Sequence, residues 1–142
     1  MSSDPDSDAV TCKHGPGECL GNTIILCAAH LYPETKLSLG YANCLIHDFQ
    51  EIPGRGLVQT CAMEHGLDFG KINDCISDAE LAHRLLTESV DRSAAAKIGT
   101  SCTIRLQQDI WCVTGDQRDC DDSRNLTPLI EDIETEFQRH NL

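Results

Sequence analysis

Apolar residues recur at helical spacing through the first hundred positions of the chain. Between Glu18 and Tyr32 four of them fall at i, i+4, i+7 and i+11, which is one face of an α-helix; they are Leu20, Ile24, Cys27 and Leu31. Pro33 ends this helix, because its ring clashes with the preceding turn. Similar stripes predict three further helices, from Leu37 to Phe49, from Leu57 to about Gly66 and from Phe69 to Ile76.

A longer helix is predicted next. Ser77 is followed three residues later by Glu80, which is the capping-box pattern of a helix start. The helix would run to about Lys97, where Gly99 stops it. Its apolar face holds Leu81, Leu85, Leu86 and Val90. The helical region therefore covers about residues 18–98.

The period changes after this region. Residues 102–113 alternate as a β-hairpin would, although the turn lacks glycine. Thr127 and Pro128 open a last amphipathic helix, at about 127–139, with Thr127 as cap and a buried stripe of Leu129, Ile130, Ile133 and Phe137. At the other end, residues 9–12 favour a short strand, and residues 1–8 read as a disordered acidic tail.

One motif stands at the start of the first helix. The segment from Cys12 to Cys27 reads C-x-H-G-x-x-E-C-x-x-N-x-x-x-x-C. Its fixed positions are Cys12, His14, Gly15, Glu18, Cys19, Asn22 and Cys27. A chance match to so many fixed residues of different types is improbable in a short chain. The motif resembles the signature of the gamma-interferon-inducible lysosomal thiol reductase (GILT) family.

The resemblance implies a fold and an activity. The family consists of thioredoxin-like thiol–disulfide oxidoreductases, which reduce protein disulfides and need no cofactor. The fold class is α/β, helix-rich and α+β-like, with an enlarged helical insertion in a thioredoxin-like fold. Residues 9–142 would form a partial domain of this kind, with the first strand–helix–strand unit missing. The partners implied are disulfide-containing substrate proteins.

The catalytic residues that the resemblance implies are absent from this sequence. The family's C-x-x-C lies upstream of the signature, whereas no two cysteines of this chain stand at that spacing. The segment before the hairpin, residues 98–102, also lacks the cis-proline that thioredoxin-like folds place before their third strand. We therefore expect either a reductase that is inactive or incomplete as given, or a non-catalytic, disulfide-stapled secreted binding or structural module. Whether this chain is itself an enzyme stays open at this point.

The cysteines indicate a disulfide framework. The chain has nine of them, with no repeated metal-finger spacing, which is typical of proteins from oxidising compartments. Because nine is an odd number, at least one cysteine is left over within the chain. The candidates for disulfide bonds are Cys12, Cys19, Cys27, Cys44, Cys61, Cys75, Cys102, Cys112 and Cys120.

Local chemistry distinguishes few of these cysteines. Cys12, beside Lys13 and His14, has the most favourable field for a reactive thiolate, but without a resolving partner we assign no catalytic residue. Zinc binding at the signature is disfavoured because the ligand spacing matches no common finger, so no metal is expected. Glu18 and Asn22 share a helix face and are interpreted as braces for the glycine-rich loop.

Charge and targeting signals limit the partners and cellular locations that the sequence allows. A formal net charge of −12 argues against nucleic acids and anionic membrane surfaces as partners. No apolar run is long enough for a membrane span, and the acidic N-terminus is not a signal peptide. The family and the cysteines nevertheless favour a secreted, lysosomal or vacuolar glycoprotein, with Asn125 as a glycosylation site. We therefore expect that coding sequence precedes Met1.

Overall fold

The structure is a computed structural model that describes residues 1–3, 9–100, 102–113 and 126–141. It divides into two units, Met1–Ser93 and Ala94–Leu142. The first unit begins with a small antiparallel pairing of strand β1 (Ser2–Ser3) with strand β2 (Val10–Thr11). Part of the predicted acidic tail thus forms a strand, and its residues 4–8 lie outside the described residues.

Helices make up most of the first unit, as the apolar stripes predicted. They are α1 (Pro16–Leu31), α2 (Thr35–His47), a 3-10 turn (Phe49–Glu51), α3 (Arg55–Glu64), α4 (Phe69–Ser77) and α5 (Ala79–Ala95). Helix α1 packs against α2 and α4, and α3 also packs against both of these helices. The start of α1 lies beside the loop that follows the 3-10 turn, since Cβ atoms added at Gly17 and Gly21 would lie 3.9 Å from Pro53 and 2.6 Å from Ile52.

The core of the first unit lies among these helices. Its largest fully buried side chains include Tyr41, Leu45 and Ile72. The Tyr41 hydroxyl donates a hydrogen bond to the Val58 carbonyl at 3.4 Å, and burial raises the pKa of Tyr41 to about 12. Tyr41 thereby joins α2 to α3 by a polar contact within an apolar core.

Two details of the predicted helices are wrong. Leu20 was placed on the buried face of α1, but it is 40% exposed; Ile24 of the same stripe is buried as predicted, and Gly21 is buried beside it. The cap of α5 is Asp78 rather than Ser77: its carboxylate accepts a hydrogen bond from the Leu81 backbone N–H at 3.1 Å. Ser77 is the last residue of α4 and is therefore unable to cap the next helix.

The second unit contains a hairpin and a helix. Strands β3 (Thr103–Leu106) and β4 (Asp109–Val113) pair antiparallel with a register shift after Ile104. Gln107 supplies the positive φ of 58° that the turn needs, a conformation that glycine adopts more readily. Helix α6 (Thr127–His140) meets this hairpin through a hydrogen bond of 2.7 Å from the Trp111 indole to Asp132.

The predicted buried stripe of α6 is wrong for three of its four members. Ile130, Ile133 and Phe137 are exposed, and the helix has no buried residue. Its N-cap position is Leu126, so Thr127 is the first helical residue rather than the cap. The apolar spacing of α6 thus predicted the helix correctly, but it did not predict which of its apolar side chains are buried.

The described residues form a helix-rich α+β structure with small antiparallel sheets. Strand pairing is confined to β1 with β2 and to β3 with β4 in this part of the chain. Among the described helices, none is both long enough and apolar enough to cross a bilayer.

Candidate functional site

The signature residues fold into a short loop that leads into α1. A disulfide joins Cys12 to Cys19, and the Gly15 backbone N–H donates to the Cys12 carbonyl at 3.0 Å. Gly15 is the N-cap residue of α1 and has a φ of 90°. No atom lies within 4 Å of the place where a Cβ would be, so backbone conformation alone requires glycine here.

The loop is braced by a carboxylate in the first turn of α1. Glu18 Oε2 accepts hydrogen bonds from the His14 backbone N–H at 2.6 Å and lies 3.0 Å from His14 Nδ1. The backbone N–H of His14 is the main cause that lowers the pKa of Glu18, and the imidazole adds to it. An ionised Glu18 also interacts favourably with the N-terminal end of the helix. This geometry agrees with the interpretation of Glu18 as a brace.

Asn22 and Thr23 connect the disulfide to the body of α1. The Asn22 amide nitrogen lies 3.9 Å from Cys12 Sγ, one turn beyond Glu18 on the same helix face. The buried Thr23 hydroxyl donates to the Cys19 carbonyl at 2.9 Å. The amide of Asn22 thus faces the disulfide. This contact agrees with the interpretation of Asn22 as a brace of the loop.

Cys27, the last signature position, has a different role. It forms a disulfide with Cys75 that joins α1 to α4, and both residues lie in the core. The signature therefore supplies two separate bonds: one closes the loop before α1, and one fixes the middle of α1 to a helix far away in sequence.

The prediction of disulfide bonds is confirmed. A third bond joins Cys44 on α2 to Cys61 on α3, and Cys112 is also disulfide-bonded. Cys102 lies exposed just before β3. Two further predicted positions, Cys120 and Asn125, lie outside the described residues.

The structure limits what the signature loop does chemically. Cys12 and Cys19 are both half-buried and carry no thiolate while they are bonded to each other. His14 is exposed at the tip of the loop, so the histidine and the disulfide present a surface to solvent. In this state the loop can accept electrons from a thiol but cannot donate them to a substrate disulfide.

A second cluster was not predicted from the sequence. Glu64 and His65, at the end of α3, lie beside Cys44 on α2. One ligand atom from each of the three residues lies within 4.8 Å of the others. The sequence pattern does not indicate this cluster, because Cys44 and Glu64 are separated by 20 positions and meet only where α2 packs on α3.

Comparisons with known proteins agree with the signature. Residues 1–65 match the family model described as gamma interferon inducible lysosomal thiol reductase (GILT). A gamma-interferon-inducible lysosomal thiol reductase-like protein of Anopheles gambiae is 35% identical over 80 residues, covering 49% of this chain and 33% of the relative. The chain thus spans about a third of the length of this relative. No solved structure matches the chain.

Proposed function

We propose that the chain, whose residues 1–65 match the GILT family model, serves thiol–disulfide exchange as the disulfide-stapled scaffold of a GILT-type thiol reductase. The observation that carries this proposal is the signature loop, closed by the Cys12–Cys19 disulfide and braced by Glu18. A thioredoxin-like arrangement of the whole protein and disulfide-containing protein substrates belong to the same proposal.

The reductase reaction needs a dithiol that this chain does not contain. A thiolate of low pKa attacks the substrate disulfide, and a second cysteine nearby resolves the mixed disulfide. The sequence has no C-x-x-C, and Cys12, its most favourably placed cysteine, is bonded to Cys19. We therefore assign the chain the role of holding a substrate-facing surface, with the exposed His14 at its centre, and not the electron transfer itself.

The test is a disulfide-reduction assay on the oxidised chain. Insulin or a fluorogenic disulfide substrate would be incubated with the protein at acidic pH, with a small-molecule dithiol as the electron source. We expect no acceleration over the dithiol alone. Turnover comparable to that of a dithiol reductase, abolished by Cys12→Ser but retained by Cys44→Ser, would contradict the proposal and make Cys12 the nucleophile.

A second candidate function is a non-catalytic binding or structural module. It is favoured by the pairing of all six cysteines between residues 12 and 75, which leaves no thiol in the helical part for chemistry. Calorimetric titration with oxidised insulin separates the two candidates. Binding that His14→Ala weakens, without production of thiols, supports a substrate-facing surface; the absence of binding favours the structural module.

We also propose that the protein works in a lysosomal or secreted setting. Support comes from the three disulfides of the first unit, which persist in oxidising compartments. Alkylation of thiols followed by peptide mass mapping, on protein from its native source, tests this. We expect the pairs 12–19, 27–75 and 44–61; nine alkylated cysteines would contradict the compartment and the scaffold together.

A further inference from the structure

The cluster at the end of α3 is independent of the signature and of the function proposed above. Cys44 and Cys61 form its disulfide, with 5.8 Å between their Cα atoms. Cys44 Sγ lies 3.6 Å from the Glu64 carboxylate. One ligand atom from each of Cys44, Glu64 and His65 lies within 4.8 Å of the others, and Cys61 adds a fourth metal-binding side chain through its bond to Cys44.

The backbone places these side chains on the same side of α3. Cys61, Glu64 and His65 stand at i, i+3 and i+4, so they share one helix face. His65 follows the last residue of α3, and its backbone N–H donates to the Cys61 carbonyl at 3.1 Å. Cys44 meets this face from α2.

Gly40 gives the histidine its position. It precedes Cys44 by one turn of α2, and a Cβ on Gly40 would lie 2.9 Å from His65 Nδ1. That separation is too short for any side chain to be accommodated without movement of the imidazole. The absence of a side chain at Gly40 therefore lets the half-buried ring lie against α2, close to the Cys44 sulfur.

The oxidised cluster is a poor metal site because its sulfur atoms are neutral. Reduction would leave two thiolates, one imidazole and one carboxylate at the same place. These are the ligand types that zinc prefers, in the number that a closed tetrahedral site requires. With Zn–S bonds of about 2.3 Å, the two sulfur atoms would need to separate to about 3.8 Å, which a small rotation of each side chain provides.

From this juxtaposition we propose that the Cys44–Cys61 disulfide and a Zn²⁺ site are alternative states of one cluster. The metal ligands are Cys44, Cys61, Glu64 and His65. In the oxidised state the disulfide joins α2 to α3; in the reduced state the metal joins the same two helices.

The exchange between the states balances with a dithiol as reductant. One thiolate of the dithiol attacks Cys44 Sγ, since Cys44 is half-buried whereas Cys61 is only 1% exposed. The Cys44–Cys61 bond breaks, Cys61 leaves as a thiolate, and the second thiol of the dithiol displaces Cys44 and closes a cyclic disulfide. Two electrons pass from the dithiol to the protein. Binding of Zn²⁺ to the two thiolates then releases the two protons that the metal-free thiols would hold.

The surrounding packing keeps the ligands opposed when the disulfide opens. Tyr41 and Leu45 of α2 are fully buried, and the Tyr41 hydroxyl bonds to Val58 of α3. These contacts lie on the same pair of helices as the cluster and do not involve its side chains. The reduced ligands therefore remain close to each other without the covalent bond.

Cobalt serves as a spectroscopic probe of the site. The full chain would be reduced, freed of reductant without oxygen, and titrated with Co²⁺ and then with Zn²⁺. We expect one Co²⁺ per chain, with the visible bands of tetrahedral cobalt and a near-ultraviolet sulfur-to-cobalt band, displaced by one Zn²⁺. The oxidised chain should give none of these bands.

Paired variants identify the cysteines involved. Cys44→Ala with Cys61→Ala should abolish the sulfur-to-cobalt band. Cys12→Ala with Cys19→Ala, and Cys27→Ala with Cys75→Ala, should retain it. If the band survived without Cys44 and Cys61 but disappeared without Cys12 and Cys19, the metal would lie at the signature and the proposal would be overturned.

Single variants that retain all nine cysteines test the other two ligands in the reduced chain. Glu64→Gln and His65→Gln should each weaken Co²⁺ binding about tenfold or more, by loss of a direct ligand. Gly40→Ala should also weaken it, while the band intensity per bound cobalt still reports two thiolates. His47→Gln and Glu51→Gln are exposed controls that should bind normally. Unchanged affinity in both ligand variants, with native circular dichroism, would contradict the site.

Discussion

Single residues of the signature stabilise the loop before α1, each through its own chemistry. Glu18 accepts a hydrogen bond from the His14 backbone N–H and lies 3.0 Å from the His14 ring nitrogen Nδ1, and Gly15 adopts a conformation that other residues reach only with strain. Cys12 and Cys19 close the loop that these residues shape. A carboxylate, a glycine and a disulfide therefore hold one turn in place before α1 begins.

At the residue scale, pH tests the role of Glu18. Its folded pKa is lowered, so the stabilisation it gives is present above its unfolded value of 4.5 and is lost as the pH falls through the folded value. We predict that Glu18→Gln lowers stability at neutral pH and that the difference from wild type shrinks below about pH 4.5. Urea unfolding over a pH series measures this.

Glu134→Gln is the control, because Glu134 is exposed in the interior of α6, away from the helix N-terminus. It should show no comparable change in the difference with pH. A stability difference for Glu18→Gln that stays constant from neutral to strongly acidic pH would mean that the His14 contacts do not stabilise the ionised carboxylate.

At the scale of the elements, the connections between helices in the first unit depend on helix ends and on close contacts between elements. Asp78 follows α4 directly and caps α5. The turn after α2 brings Ile52 against α1, where the helix has Gly21. Asp78 thus lets α5 begin directly after α4, and Gly21 lets the loop at Ile52 lie close against α1.

Asp78→Ala should lower the stability of the protein by about 1 kcal/mol, the usual effect of losing an N-cap side chain. The bond lost is the one to the Leu81 backbone N–H. Ser77→Ala is the matched control and should change little, since Ser77 ends α4. Thermal unfolding of both variants decides between the two caps, and a larger loss in Ser77→Ala would restore the capping box read from the sequence.

Gly21→Ala should destabilise the chain by about 1–3 kcal/mol, because its Cβ would lie 2.6 Å from Ile52 Cγ2. This cost outweighs the gain of less than about 1 kcal/mol that alanine brings to a helix. Gly56→Ala, which meets no atom within 4 Å, should cause no loss. In a double-mutant cycle, Ile52→Ala should relieve part of the Gly21→Ala effect; full additivity would refute the clash.

The first unit as a whole is a set of short helices connected by disulfides of different reach. The bonds close loops of 7, 17 and 48 residues. Longer loops lose more conformational entropy in the unfolded chain when they are closed. The bond between α1 and α4 should therefore contribute most to global stability, and the bond in the signature loop least.

Removal of the Cys27–Cys75 bond by paired alanine substitutions should cost about 4 kcal/mol, and removal of Cys12–Cys19 about 2 kcal/mol. Cys44–Cys61 should fall between them. Chemical denaturation of the three paired variants in the oxidised state gives the order. If the signature pair proved the most destabilising, the loop would contribute to the core in a way that its length does not explain.

The sequence by itself determined the helices, the hairpin and the signature, because each depends on spacing within a few residues. Periodicity placed α1 to α5, although α1 begins at Pro16, two residues before the start predicted at Glu18. It also predicted α6 as a helix, but not which of its apolar residues are covered. The choice between Ser77 and Asp78 as a cap failed because both residue types cap helices and only the backbone tells where the helix begins.

Tertiary structure decided which cysteines meet and which side chains join them. A disulfide requires Cα atoms within about 4.4–6.8 Å of each other, and spacing along the chain does not reveal which helices pack together. The pairing of Cys27 with Cys75, and the approach of Glu64 and His65 to Cys44, follow only from the packing of α1 on α4 and α2 on α3. Secondary structure depends on residues that are close in sequence, whereas a site formed by several helices depends on how the whole core packs.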